Sequence, residues 1–248
     1  MKKFWNFSSN GNVGELYIYG EIADSTWWGD EVTPAQFKAD LDSLGNVGQL
    51  NIYINSGGGD VFAGQAIHSM LKRHTAHKSV YIDGLAASIA SIIAMAGDEI
   101  IMPANAMMMI HHAWSYIAGN KDELRKLADE LEKIDGVLRD VYAEKTGLDA
   151  DEIEAMMAAE TWLTAEDAVS KGFATSKGEP KNVAASYTNE FMARYNNVPA
   201  ELLAKTEPSN GDESQPVEEH IPVPEAEDNA LAEQRDNFIR IKRKLIGD

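Results

Sequence analysis

Residues 50–83 read LNIYINSGGGDVFAGQAIHSMLKRHTAHKSVYID, and this stretch decides the expected class of fold. The β-branched and aromatic run at 50–54 predicts a strand. A helix is predicted at 61–74, with apolar residues on one face, and a second strand at 79–83. A strand, a helix and another strand joined by short segments predict an α/β fold with mostly parallel strands.

The flanking segments continue this alternation. Thr33 and Pro34 have the properties of an N-cap and a first helical residue. Gly84 predicts a turn from strand into helix, and Asp149 with Glu152 resembles a capping box. The remaining predicted elements are strands at 15–20, 99–102 and 107–111, and helices at 34–44, 84–96, 120–145, 149–159 and from Thr164 to before Gly172.

The helix predicted at 120–145 carries an apolar stripe at steps of three or four residues. Its members are Leu124, Leu127, Leu131, Ile134, Leu138 and Val141. A stripe of this length fits two uses equally well. It covers the sheet of its own domain, or it packs against a second subunit.

Composition narrows the class of function. The net charge of −18 argues against a nucleic-acid groove or an anionic membrane surface, because both bind clustered cations. The chain has no cysteine, and no apolar run approaches the length of a membrane span. The first residues lack the apolar stretch of a secretory signal, so we expect a cytoplasmic protein. No cofactor or metal site is predicted.

The end of the chain differs from the rest. Residues 207–228 contain eight acidic residues, four prolines and no lysine or arginine, a composition that predicts disorder. Residues 229–248 carry five basic and three acidic residues among apolar ones, which fits either a docking helix or a frayed end. We therefore expect a folded domain at 1–178, a helical extension at 179–206, and this linker and end at 207–248.

The first candidate for chemistry lies in GLAASIASIIAMAGD, residues 84–98. Ser88 follows a predicted strand and precedes a helix of small residues, a place where a hydroxyl is open to a substrate. A serine there often only caps the helix. Ser91, one turn later, is a rival nucleophile, but we expect it to point into the helix packing.

The second candidate is the glycine run Gly57-Gly58-Gly59, which follows the strand at 50–54. Consecutive glycines leave backbone amides accessible, as an oxyanion hole or a phosphate loop requires. No Gly-Lys-Ser/Thr sequence follows, which disfavours phosphate binding. A plain tight turn remains an alternative.

The third candidate is His111, at the end of the predicted strand at 107–111. Histidine is the usual base that deprotonates a serine. His111 and His112 face opposite sides of an extended strand, so only one of them can serve Ser88. As a metal pair they lack a third ligand at suitable spacing.

Together these segments resemble the ClpP family of serine peptidases over residues 15–176. INSGGGDVFAG is similar to the family's oxyanion-hole turn, GLAAS to its nucleophile motif and MIHH to its histidine strand, in the family's order. The resemblance implies a spiral of ββα units, of the fold also seen in crotonases, with the long helix inserted. It implies Ser88 as nucleophile, His111 as base, and oxyanion amides from Gly59 and Ile89.

Two departures refine the resemblance. The family's third catalytic residue, an Asp, aligns with Glu160, which precedes Trp-Leu-Thr-Ala at 162–165. The segment before residue 15 does not resemble the loops through which the family meets an ATPase, so we expect independence of such a partner. With the added tail, the chain resembles the phage head-maturation branch of the family. That branch implies homo-oligomeric rings, heptameric by resemblance and either single or stacked in pairs. It also implies cleavage of capsid or scaffold protein.

Three other functions stay open. A crotonase-like enzyme would bind acyl-CoA on the same fold without a serine nucleophile. A Ser–Lys dyad would use Lys121, Lys126 or Lys133, all on the charged helix. A catalytically inactive scaffold protein would retain the fold, and Glu160 in place of Asp is the feature that favours it.

Overall fold

Eight strands and six helices make up the part of the chain that the computed structural model describes, residues 3–23, 33–181, 192–200 and 202. The strands are β1 (Trp5–Asn10), β2 (Val13–Ile22), β3 (Gln49–Gly59), β4 (His77–Ala87), β5 (Glu99–Pro103), β6 (Met107–Ile110), β7 (Thr161–Thr164) and β8 (Ser176–Gly178). The helices are α1 (Pro34–Ser43), α2 (Val61–Arg73), α3 (Ile89–Ala94), α4 (Lys121–Thr146), α5 (Ala150–Ala158) and α6 (Ala165–Ser170).

The strands form one mixed sheet in the order β1-β2-β3-β4-β5-β8. Strands β2 to β5 are parallel, as the alternation of strands and helices predicts. Strand β4 changes partner along its length, since residues 79–81 pair with β5 and residues 85–87 pair with β6. Strand β7 then pairs antiparallel with β6. The predicted α/β class is confirmed.

The two faces of the central strands carry different side chains. Leu50, Ile52 and Ile54 alternate along β3 and are fully buried under the helices. The opposite face bears stacked tyrosine rings, with Tyr17 and Tyr81 on either side of Tyr53 at 4.7 and 5.2 Å between ring centroids. Burial on one face fixes the strand register, because a slip by one residue would exchange the faces.

Helix ends follow the sequence signals closely. Thr33 and Gln36 form a capping box before α1, and Thr164 and Asp167 form another before α6. Asp149 is the N-cap of α5 as expected, but it makes no side-chain cap hydrogen bond, so the predicted capping box there is wrong.

The turns expected at Gly84 and at Gly57–Gly59 are absent. The glycines there lie within strands, where they allow close contact with a neighbouring strand. Strand β4 does not turn at Gly84 but continues to Ala87, and a Cβ at Gly84 would lie 3.0 Å from the Asn55 side chain of β3. The glycine run at 57–59 likewise extends β3, pairing with the end of β2.

Three short strands have no sequence prediction. Strand β1 pairs with β2 as an antiparallel edge, while β7 and β8 have only four and three residues. Strand β1 ends in exposed polar residues and β8 is almost wholly polar, so neither shows the apolar alternation on which sequence patterns depend. Strand β7 matters most, because it fixes the position of Glu160.

Helix α4 leaves part of its apolar stripe uncovered. Leu138 of the stripe is buried near the C-terminal end, together with Tyr142, whereas Leu124 at the start of the stripe is 47% exposed. Val137, outside the stripe, is 54% exposed. No helix of the described residues is long and apolar enough to cross a membrane. The predictions for residues 207–248 lie outside the described residues, as does most of the extension at 179–206.

Candidate active site

Ser88 lies at a sharp corner between β4 and α3. Its backbone has φ 56° and ψ −130°, a conformation that costs a non-glycine residue on the order of 1–3 kcal/mol. The corner is held by a hydrogen bond from the Ser88 amide to the Met109 carbonyl at 2.9 Å. Such a corner lifts the hydroxyl out of the sheet toward a ligand, which is how strained serine turns work in hydrolases.

Glycines make room for this corner. A Cβ at Gly58 would lie 2.8 Å from the Ser88 Cβ and 2.9 Å from the Ala87 carbonyl oxygen. A Cβ at Gly64 would overlap the Ile89 side chain. The glycine run therefore allows two backbones to meet beside the hydroxyl.

His111 meets Ser88 directly. It follows β6, which pairs with the end of β4, and its Nε2 lies 2.8 Å from the Ser88 Oγ. The adjacent His112 faces the other way, with its Nε2 2.9 Å from Glu154 Oε1. Burial lowers the pKa of His111 to about 4; the charge of Glu160 opposes this shift and His112 adds to it. The imidazole is therefore neutral near pH 7, as a proton acceptor must be.

Ser91 is buried behind the corner, as predicted. Its hydroxyl donates to the Ser88 carbonyl oxygen at 2.6 Å and shares a hydrogen bond with Tyr142 of α4 at 2.7 Å. It braces the corner and does not face the cleft.

Glu160 lies opposite His111 but does not bond to it. Ile110 of β6 pairs with Thr161 of β7, so the next residues outward along the antiparallel pair are His111 and Glu160. Within the described residues, no hydrogen bond joins the Glu160 carboxylate to the imidazole. The predicted triad contact is absent because other donors occupy the carboxylate.

Those donors come from a later segment of the chain. The Asn196 amide lies 2.9 Å from both carboxylate oxygens, the Asn197 amide 2.6 Å from Oε1, and the Trp162 indole nitrogen 3.4 Å from Oε1. Glu160 is 7% exposed, so these bonds compensate the burial of a charge.

Sequence reasoning expected a helical extension at 179–206 but gave residues 192–200 and 202 no role in the site. Tyr195 packs with its ring edge-on to His111, with centroids 5.3 Å apart. Met192 and Leu202 are buried in the same apolar cluster. The segment has no motif; its one signal is a few apolar residues spaced along a polar stretch.

Ser88 and His111 open into a cleft of about 300 Å³. Gly59 lines the cleft, and Ile89 follows Ser88 at the start of α3, where an amide has no acceptor within the helix. The other lining residues are Glu21, Ile22, Ala23, Asp60, Val61, Ala113, Trp114, Arg194 and Tyr195. Among the described residues, no cluster of His, Cys, Asp or Glu has the geometry of a metal site.

Comparison with known proteins agrees with this geometry. The family model described as Clp protease matches residues 33–178. The chain is also 32% identical over 135 residues to the ATP-dependent Clp protease proteolytic subunit of Deinococcus radiodurans. That match covers 53% of this chain and 66% of the relative, so the chain spans just under two thirds of the relative's length. With the serine corner and its histidine in one cleft, the match over most of the folded part shows that the chain belongs to the Clp protease family of serine-type peptidases.

Proposed function

We propose that this chain is a serine endopeptidase in which Ser88 attacks the peptide carbonyl and His111 accepts its proton. The observation that carries the proposal is the 2.8 Å contact between Ser88 Oγ and His111 Nε2 at a cleft. Nucleophile and base at hydrogen-bond distance are what acyl transfer requires.

The reaction proceeds through a tetrahedral intermediate. The Ser88 oxygen bonds to the carbonyl carbon while its proton passes to His111 Nε2. The amides of Gly59 and Ile89 donate to the resulting oxyanion. His111 then returns the proton to the leaving amine, and water hydrolyses the acyl-enzyme by the same steps in reverse.

Glu160 contributes charge instead of a direct bond. Its carboxylate raises the pKa of His111 against the effect of burial, which stabilises the imidazolium formed during attack. The contacts therefore favour a catalytic pair of Ser88 and His111 that is influenced electrostatically by the fixed carboxylate of Glu160.

Labelling with a fluorophosphonate probe, followed by mapping of the modified residue, tests the proposal. We expect modification of Ser88 in the wild type and none in Ser88→Ala, while Ser91→Ala stays reactive because Ser91 lies behind the corner. A folded wild type that neither reacts nor cleaves peptides would favour the inactive scaffold, which the missing Glu160–His111 bond supports. Lys121, Lys126 and Lys133 are exposed on α4 and do not line the cleft, which disfavours a Ser–Lys dyad.

We further propose that the subunits assemble into rings through α4. The support is two exposed apolar side chains of this helix, Leu124 of the stripe and Val137 outside it, each about half exposed. Leu131→Glu should convert the assembly to smaller species, because a charge buried in an apolar contact lacks compensation. Light scattering measures the change, and a monomeric wild type at micromolar concentration would contradict ring formation. Seven subunits per ring is the family-based expectation.

Capsid or scaffold protein is the substrate we propose, with cleavage independent of an ATPase. The support is the resemblance of the sequence to phage head-maturation proteases. Incubating the purified protein with scaffold protein, with and without ATP and a Clp ATPase, tests both parts. Such processing would take place in the host cytoplasm.

A further inference from the structure

Tyr195 closes one side of the cleft without a role in the reaction above. The side chain is 8% exposed, and its hydroxyl donates to the carbonyl oxygen of Gly57. The Ser88 side chain lies beside the same hydroxyl and opposes the rise in its pKa that burial causes. Its ring meets the imidazole of His111 edge-on, at an interplanar angle of 81°. One side chain thus contacts the glycine run, the nucleophile and the base.

The segment that carries Tyr195 is fixed on both sides of it. On one side, Arg194 pairs with Glu21 of β2 at 2.6 Å. On the other, the amides of Asn196 and Asn197 donate to Glu160. These contacts hold the tyrosine in place even though residues around it are exposed.

We propose that Tyr195 is a positioning residue of the peptidase site: its hydroxyl holds the glycine run that presents the oxyanion amide, and its ring holds the imidazole of His111. Glu160 acts in part through this tyrosine, by fixing the next two residues. The inference rests on the proposed peptidase function and deepens it.

The hydroxyl of Tyr195 matters because glycine residues have a flexible backbone that needs contacts from elsewhere to fix it. Residues 57–59 have no side chains to restrict their backbone, and the pairing with β2 reaches only Gly58 and Gly59. The hydrogen bond to the Gly57 carbonyl therefore fixes the start of the run that presents the Gly59 amide. An amide displaced from the developing oxyanion loses most of its effect on the rate.

The ring matters because it keeps water from His111. Burial is the main cause of the low pKa of His111, and Tyr195 supplies part of that burial. Other ionisable groups act on the imidazole or line its cleft. His112, which faces away, and Glu160, before β7, act on it through their charge, and Glu21 of β2, Asp60 before α2, and Arg194 line the cleft.

Two substitutions separate the roles of hydroxyl and ring. Tyr195→Phe removes only the hydroxyl, and we expect kcat to fall on the order of tenfold with KM nearly unchanged and the same pH profile. Tyr195→Ala removes the ring as well, so the apparent pKa in kcat/KM should rise toward the ordinary histidine value. Tyr53→Phe, in the tyrosine stack and outside the cleft, is the matched control and should behave as wild type.

A double-mutant cycle tests the link to Glu160. If Glu160 acts through Tyr195, the losses in kcat caused by Glu160→Gln and Tyr195→Phe should be less than additive in free energy. Strict additivity would mean that Glu160 acts on His111 alone and would overturn that part of the proposal.

The outcomes also separate this inference from the function it rests on. A wild type that reacts with the fluorophosphonate at Ser88, with wild-type kinetics in Tyr195→Phe, overturns the positioning role alone. A rise in kcat/KM in either variant overturns it too, since the segment would then obstruct the substrate. If the wild type is neither labelled nor hydrolyses peptides, both the peptidase function and the positioning role of Tyr195 are wrong. Should Tyr195→Ala fail to fold, the nearly isosteric Phe variant still decides.

Discussion

Ser88 and Glu160 share an unusual backbone and differ in what holds it. They are the two non-glycine residues with positive φ in the described part of the chain, at 56° and 49°, and both lie next to His111. Ser88 is held by its own motif: Gly58 beside it, Ser91 behind it and Met109 across the sheet. Glu160 is held by amides 36 and 37 residues later in the chain.

The two sides of the site should therefore respond differently to substitution. On the Ser88 side, backbone contacts leave no space, so almost any substitution shifts the nucleophile. On the Glu160 side, a charge and a set of hydrogen bonds determine the geometry. The loss of activity there should therefore depend on how much of the charge and of the hydrogen bonding a substitution removes.

The largest effect is expected at the nucleophile itself. Ser88→Ala should reduce kcat for peptide hydrolysis by on the order of 10⁴–10⁶-fold, because no other group forms the acyl-enzyme. The melting temperature should not fall, since alanine also fits the corner. Near-normal turnover in this variant, with loss in Ser91→Ala, would reassign the nucleophile.

A smaller but still severe loss is expected at Gly58. Gly58→Ala places a Cβ against Ser88 at φ 107°, so the corner must move and kcat should fall on the order of 100-fold. The matched control is Gly136→Ala in α4, where a Cβ meets nothing within 4 Å. That control should keep activity and gain about 0.5–1 kcal/mol of unfolding free energy, since alanine favours helix. Equal behaviour of the two variants would refute the packing argument.

Substitutions at Glu160 should have graded effects. Glu160→Gln directs an amide NH2 toward the N–H donors of residues 196 and 197, so the free energy of unfolding should drop by about 1–3 kcal/mol. The accompanying loss in kcat should be on the order of tenfold. Glu160→Asp should lose less, because charge survives and Asp tolerates positive φ better. Measuring kcat and the melting temperature of both variants checks this prediction. A Gln variant equal to wild type in both quantities would mean that Glu160 contributes neither to catalysis nor to stability.

The smallest effect is expected from mild acid. His111 must be neutral to accept the Ser88 proton, and its pKa near 4 means that kcat/KM should change less than about twofold between pH 7 and pH 5. Stability behaves differently. The unfolded chain takes up the His111 proton below about pH 6.5 and the folded chain does so only near 4, so this contribution is complete above 6.5 and is lost as pH falls through that interval.

Denaturation midpoints of wild type and His111→Gln across pH 4–7 isolate the histidine contribution. A fall in kcat/KM centred near pH 6.5 would contradict the low pKa.

The contrast between local contacts at Ser88 and long-range contacts at Glu160 also explains which features could be predicted from the sequence. Ser88, His111, Gly59 and Ile89 lie in short motifs whose order along the chain already indicates their meeting, and the structure brings these segments together. The βαβ alternation and the caps at Thr33 and Thr164 were equally readable, because local spacing and hydrogen bonding produce them.

Contacts between residues far apart in the chain could not be predicted from the sequence. Tyr195 meets Gly57 across 138 residues, and nothing local to either residue marks the other as its partner. The Glu160–His111 bond was expected from a family pattern of short acidic side chains, whereas here the carboxylate accepts from a segment that the motifs do not include. The turn expected at Gly84 shows the same limit, because its neighbour Asn55 comes from another strand.

The position of Tyr195 late in the chain also sets an order of assembly during synthesis. A ribosome delivers the chain from its N-terminus, and folding starts on what has emerged. Strands β1 to β7 are complete by Thr164, so Ser88 and His111 can meet before residues 192–202 leave the ribosome. The tyrosine that contacts the glycine run arrives last. A nascent chain therefore carries its nucleophile and base for some time before it carries its finished cleft.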